Sequence, residues 1–394
     1  MKNKEKLTVL IPSMLDFHFP LLKYAFFSDN YNAIILDYSN ENIAETGLRY
    51  SHNDLCYPVI LIIGQMITFL KSNDYDKGKI AFLIPQAGDA CRGSNYLYMI
   101  KKAMKCAGYE NIPIISLNFK GLDSEKRLKI NLSMIRKGLA AVMYGDILMI
   151  LRNQVKPYEK ISGKTDALTS KWQNILKSGI ISGKLLSAGK MKKTFDKIAS
   201  DFSKIKRHKN NRPIIGIVGE LYVKYCSLGN HNICSFLEKE GCGFYINGFS
   251  WYLLYYIDTH LIEKKSAASV AFKIIMKYLE DIQKEMSESI RRYGFICARE
   301  YGGFKRNAEK FVSFECGIAD GWLIGGEIVN LYQEGVRKIA CVQPFGCMPN
   351  HIFGKGIYSA IQRRLDGIML SSIDYDSGST GVNEDNRLRM LIDL

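Results

Sequence analysis

Short apolar runs alternate with longer amphipathic segments along this chain, and that alternation is the strongest constraint on its fold. The runs fall at residues 8–11, 33–36, 80–84 and 112–117, with helix-patterned stretches at 58–71 and 95–107. Runs this short, bounded by turn residues, read as strands buried on both faces. Strands that alternate with helices form βαβ units and predict a parallel sheet covered by helices. The pattern then turns helical over 124–155 and polar, basic and mostly helical over 156–211. A second α/β rhythm begins at Pro213-Ile214-Ile215-Gly216-Ile217-Val218-Gly219-Glu220, a strand ending in a turn. It continues through a helix at 233–239, an aromatic-rich apolar stretch at 244–257 and a long helical region at 267–293. The last third adds a helix at 321–332, a strand at 338–342, a helix at 356–364, a strand at 367–373 and a helix at 386–392. The expected organisation is a first α/β domain at 1–155, a helical connector at 156–211 and a second α/β domain at 212–394.

Length and charge narrow the function classes. The 394 residues have room for two or three domains, and no apolar run is long enough to cross a bilayer. The start, Met1-Lys2-Asn3-Lys4-Glu5-Lys6, leads at once into the strand-like Leu7-Thr8-Val9-Leu10-Ile11-Pro12 and leaves no room for a signal peptide, so the expected location is the cytoplasm, with no membrane partner. The formal net charge of +15 raises nucleic-acid binding. The basic residues, however, concentrate between Lys156 and Lys209 with few interleaved aromatics, which reads as a solvated basic face. A docking surface for an acidic protein, or for the phosphates of a coenzyme A ester, is the alternative.

Ten cysteines in a chain expected to be cytoplasmic point to metal or redox work. The stretch Ile339-Ala340-Cys341-Val342-Gln343-Pro344-Phe345-Gly346-Cys347-Met348-Pro349-Asn350-His351 is an apolar strand that breaks into a Pro- and Gly-rich turn carrying a thiol. Strand ends of this kind are where open α/β sheets bind ligands. Cys56, in Asn53-Asp54-Leu55-Cys56-Tyr57-Pro58, and Cys91, before Arg92, have similar settings. Three such thiols suggest one iron–sulfur site held by Cys56, Cys91 and Cys347, with Cys341 as a fourth ligand less well placed inside the strand. Cys106, Cys226, Cys234, Cys242 and Cys297 read as small buried apolar residues. Close C-x-x-C pairs, the usual mark of structural zinc or thiol–disulfide chemistry, do not occur. Cys–His hydrolysis stays open, with His52 beside Asp54 and His351 near Cys347 as candidates; His351 reads rather as a structural hydrogen-bonding residue. Gly354-Lys355-Gly356 lacks the hydroxyl residue a P-loop needs, and Gly216-Ile217-Val218-Gly219 is too short for a dinucleotide fingerprint.

These segments resemble the 2-hydroxyacyl-CoA dehydratase-like, activase-related iron–sulfur family, and above all the carboxy-terminal portion of its long members. The resemblance rests on Gly47-Leu48-Arg49-Tyr50 with Asn53-Asp54-Leu55-Cys56-Tyr57-Pro58, on Cys91-Arg92 with Asn95-Tyr96, and on Gly216-Ile217-Val218-Gly219-Glu220 with Val223-Lys224. It continues in Gly321-Trp322 with Gly326-Glu327 and is strongest in the Cys341–Cys347 segment with Gly354-Lys355-Gly356. The chain departs from the family at Ala319-Asp320, at Lys156 and at Asp89-Ala90. The resemblance implies two flavodoxin-like (Rossmann-like) domains around a cluster cleft, and either a 4Fe-4S cluster or a double-cubane cluster shared across a homodimer. It implies low-potential electron transfer in anaerobic metabolism, with electrons delivered by a separate ATP-hydrolysing activase carrying its own cluster, and reduction or dehydration of an acyl-CoA or small molecule. The competing expectation is a non-catalytic scaffold, or an acyl-CoA- or activase-binding protein, that keeps the fold.

Overall fold

The computed structural model describes residues 6–26, 31–37, 42–72, 75–85, 91–118, 121–122, 131–209, 212–262 and 267–394. The first part of the chain contains β1 (Leu7–Pro12), α1 (Phe19–Phe26), β2 (Tyr31–Leu36), α2 (Asn42–Tyr50), α3 (Tyr57–Ser72), β3 (Ile80–Pro85), α4 (Tyr96–Cys106), β4 (Ile114–Asn118) and the short β5 (Gly121–Leu122). Three helices follow: α5 (Leu132–Val155), α6 (Lys164–Ile181) and α7 (Ala188–Ser203). The remainder contains β6 (Ile215–Gly219), α8 (Leu221–Tyr225), α9 (Ile233–Lys239), β7 (Phe244–Ile246), α10 (Phe249–Tyr256), α11 (Ala267–Arg292), α12 (Tyr301–Ala308), α13 (Gly321–Gln333), β8 (Lys338–Pro344), α14 (Gly356–Arg364), β9 (Met369–Tyr375) and α15 (Val382–Asp393).

The strands form two sheets, ordered β2-β1-β3-β4-β5 and β7-β6-β8-β9. All pairings are parallel except β4 with β5. Counted within each part, the parallel strands follow the same order, second-first-third-fourth. That doubly wound, Rossmann-like order places a switch point between the first and third strands of each sheet. β6 is buried along its whole length, as a strand covered on both faces must be.

α5 joins the two parts. The sequence pattern puts it at the end of the first, but its residues from Ala140 to Leu151 are buried around the whole circumference. It packs on α1 from one side and on β7 and α10 from the other, so one apolar core runs from Leu10 and Phe82 through Ile147 and Phe195 to Ile215 and Val342. The helical pattern from 124 is seen from Leu132 onward, because 123–130 lie outside the described residues. Asn131 starts the helix by accepting from the Met134 amide. α6, α7 and the turn between them carry the basic stretch, with Lys171, Lys184, Lys190 and Lys193 exposed. Among the described residues, no helix is long and apolar enough to cross a membrane.

Candidate functional site

Both switch points open onto the same space. Met14 and Leu15 follow β1, Cys91 follows β3, Glu220 follows β6 and Cys347 follows β8; all line one cavity of about 770 Å³, which α1, α5 and α10 also line. Two glycines shape the second rim. Gly219 has φ +133°, and a Cβ there would lie 2.0 Å from the Val342 carbonyl oxygen, so only glycine lets β6 turn so close to β8. Gly346, at φ +69°, turns the chain after β8 and delivers Cys347 to the cavity.

Cys56, Cys91 and Cys347 all line this cavity. Cys56 precedes α3 and is buried, with the Tyr96 hydroxyl donating to its sulfur at 3.3 Å. Burial pushes its thiol up to about 12 in spite of that bond. Cys91 opens a single 3₁₀ turn, its carbonyl accepting from the Ser94 amide and hydroxyl. Cys347 is buried; desolvation, and then the nearby Glu220 and Asp320 carboxylates, push its thiol upward. Arg92 ties the three turns together. One guanidinium nitrogen donates to the Asp54 carbonyl at 3.0 Å, and another to the Gly346 carbonyl at 2.9 Å. Among the described residues, no three His, Cys, Asp or Glu side chains are gathered as a ready site for a single metal ion. Asp89 and Ala90 lie outside the described residues.

Cys341 is placed differently. It lies within β8, fully buried, with the Tyr358 hydroxyl of α14 beside its sulfur, and it is not among the residues lining the cavity. Of the cysteines expected to be buried, Cys226, Cys242 and Cys297 are; Cys234 is half-buried, and Cys106 is exposed at the end of α4, where the helix face turns to solvent.

A second polar group stands beside Cys347. Asn350, wholly buried, donates to Asp320 at 3.2 Å and lies 3.4 Å from the Cys347 sulfur. Burial and the neighbouring Glu220 push Asp320 up to about 8. Glu220, also raised by burial, caps α8 by accepting from the Val223 amide at 2.9 Å. Lys224 and Glu327 form a buried ion pair at 2.8 Å close by. His351 bonds the Cys347 carbonyl at 2.7 Å, while His52 and Asp54 are exposed and are not among the residues lining the cavity. Lys355 is paired with Asp374 at 2.8 Å, which leaves the P-loop-like glycines without a phosphate-facing lysine.

Reading the sequence singled out the thiols and not the apolar walls. Phe249, Tyr252, Leu253 and Tyr256 of α10 line the cavity at helical spacing. That periodicity was present in the aromatic stretch but marks a core face as readily as a cavity wall. No known protein-family model matches this chain, and no curated protein is similar to it in sequence.

Proposed function

We propose that the protein holds an iron–sulfur cluster on Cys56, Cys91 and Cys347 and serves in low-potential electron transfer to a difficult reduction or dehydration. The observation that carries this reading is that three cysteines from distant segments line one cavity and have their turns tied together by Arg92. The donor set fits the group. Cluster irons are held by cysteine thiolates, and different thiolates serve different irons, so the sulfurs need to share a cavity rather than a point. Burial disfavours the thiolate forms of Cys56 and Cys347, and bound iron cations would offset that cost. The Tyr96 hydroxyl and Asn350 amide, placed at two of the sulfurs, would tune the potential through hydrogen bonds.

A bound cluster would supply one-electron chemistry, as 4Fe-4S in one chain or as a double cubane shared by two. The similarity to the 2-hydroxyacyl-CoA dehydratase-like family supports a separate ATP-hydrolysing activase as electron source and an acyl-CoA or other small molecule as substrate. The assignment is tested by iron, sulfide and the electronic spectrum of anaerobically purified protein. Cys56→Ala, Cys91→Ala and Cys347→Ala should each lose most of the iron, and Cys226→Ala should keep it. Cys341→Ala separates three ligands from four. Wild-type iron in all three cavity variants would rule the ligand set out.

A further inference from the structure

We infer that the apolar limb of the cavity, between α1, α5 and α10, binds an uncharged apolar molecule rather than a coenzyme A ester or another anion. The inference concerns the cavity proposed to hold the cluster but needs only its walls, so either reading can fail while the other stands.

The walls are built from one face of each helix. Phe19 and Leu22 of α1, Leu139 and Val142 of α5, and Phe249 and Leu253 of α10 line the space. Neighbours three or four apart share a face, so each helix turns a continuous apolar stripe to the cavity. The whole cavity, thiol end included, has about 770 Å³, in the range of pockets that enclose a small organic ligand. Charged side chains are few in this lining: Lys23, Arg92, Glu220 and Asp320. Arg92 has guanidinium donors engaged by the carbonyls of Asp54 and Gly346. Lys23 is the other cation in the lining, its ammonium 5.3 Å from the Tyr24 ring. Glu220 and Asp320 stand at the thiol end and offer a bound anion no positive charge in that poorly solvated space. A coenzyme A ester brings several phosphates, and the lining offers them little beyond Lys23. An uncharged carbon skeleton meets neither penalty and gains from the burial of its whole surface.

Two fluorescent probes with the same skeleton test the charge rule: N-phenyl-1-naphthylamine, which is uncharged, and 1-anilinonaphthalene-8-sulfonate. The anaerobically purified protein should bind the uncharged probe saturably, one per chain, and the sulfonate at least about tenfold more weakly. Leu139→Trp, and independently Ile135→Trp at the 46%-exposed rim of α5, should weaken the uncharged probe by about tenfold or more. Both variants should retain the wild-type melting temperature and iron content. Ile175→Trp, exposed on α6, should change nothing. Absence of saturable binding, equal affinity for the two probes, or affinity indifferent to both wall variants would each overturn the inference. Iron bound without probe binding defeats this inference alone, and probe binding without iron defeats the cluster reading alone.

Discussion

At Asp320 the local chemistry is most exposed to test. An isolated carboxyl titrates near 3.8, and burial with Glu220 nearby pushes Asp320 up to about 8. Between those values the folded protein holds a proton that the unfolded chain has released. Stability from this group is therefore greatest at the acid end and falls as pH rises toward 8. In iron-free protein, the unfolding free energy of the wild type should drop from pH 5 to pH 8 by more than that of Asp320→Asn, a difference on the order of a few kcal/mol. Parallel pH profiles would mean that Asp320 is already ionised in the fold. The Lys224–Glu327 pair limits the charge burden of the same region, since Lys224 lowers both carboxyl groups against the effect of burial. The sequence announced the thiols because Cys beside Pro and Gly is a rare local combination. It did not announce what Arg92 does, because its partners are backbone carbonyls at Asp54 and Gly346, which no side-chain identity encodes.

Helix contacts decide where Cys56 stands. α2 and α3 cross at reciprocal glycines: a Cβ on Gly47 would lie 2.1 Å from the Ile60 carbonyl oxygen, and one on Gly64 2.0 Å from that of Ile43. Both obstacles are backbone, so rotating a side chain cannot relieve them and the helices must separate. Gly64→Ala should therefore destabilise the protein by roughly 1–3 kcal/mol. Because Cys56 lies in the link between these helices, the variant should also lose iron. Gly189→Ala in α7, with open space around its Cβ, should be neutral or slightly stabilising. Equal melting temperatures for the two variants would show that the crossing yields easily. Elements with strong local periodicity were readable in advance: the 233–239 and 356–364 patterns coincide with α9 and α14, and the strand read at 338–342 runs on to Pro344 as β8. The aromatic stretch was not readable. It divides at Asn247-Gly248 into β7 and α10, and the three-residue β7 before that turn is too short to show a period of its own. The final helix starts at Val382 rather than 386, after Gly381 at φ +80°.

The whole molecule brings two similarly ordered sheets to one cavity, and the extent of their independent coupling sets what a cluster would add. Cys56 and Cys91 come from the first α/β part and Cys347 from the second, so a bound cluster would link the two. The α5-centred core changes the scale of that effect. Apolar packing is continuous from sheet to sheet through Ile147 and Leu151, and Arg92 crosses from one set of turns to the other through hydrogen bonds that involve no metal. A ligand bound only by the folded state stabilises the residues that hold it, while core elements open only with global unfolding. Removing iron should therefore speed amide hydrogen exchange at residues 53–58, 91–95 and 345–356, and leave β1, β6, β8 and α5 as protected as before. Unchanged protection at all three turns, with iron loss demonstrated, would show that these turns hold no cluster. Faster exchange throughout α5 would show instead that the packed core depends on the metal to keep the two sheets together.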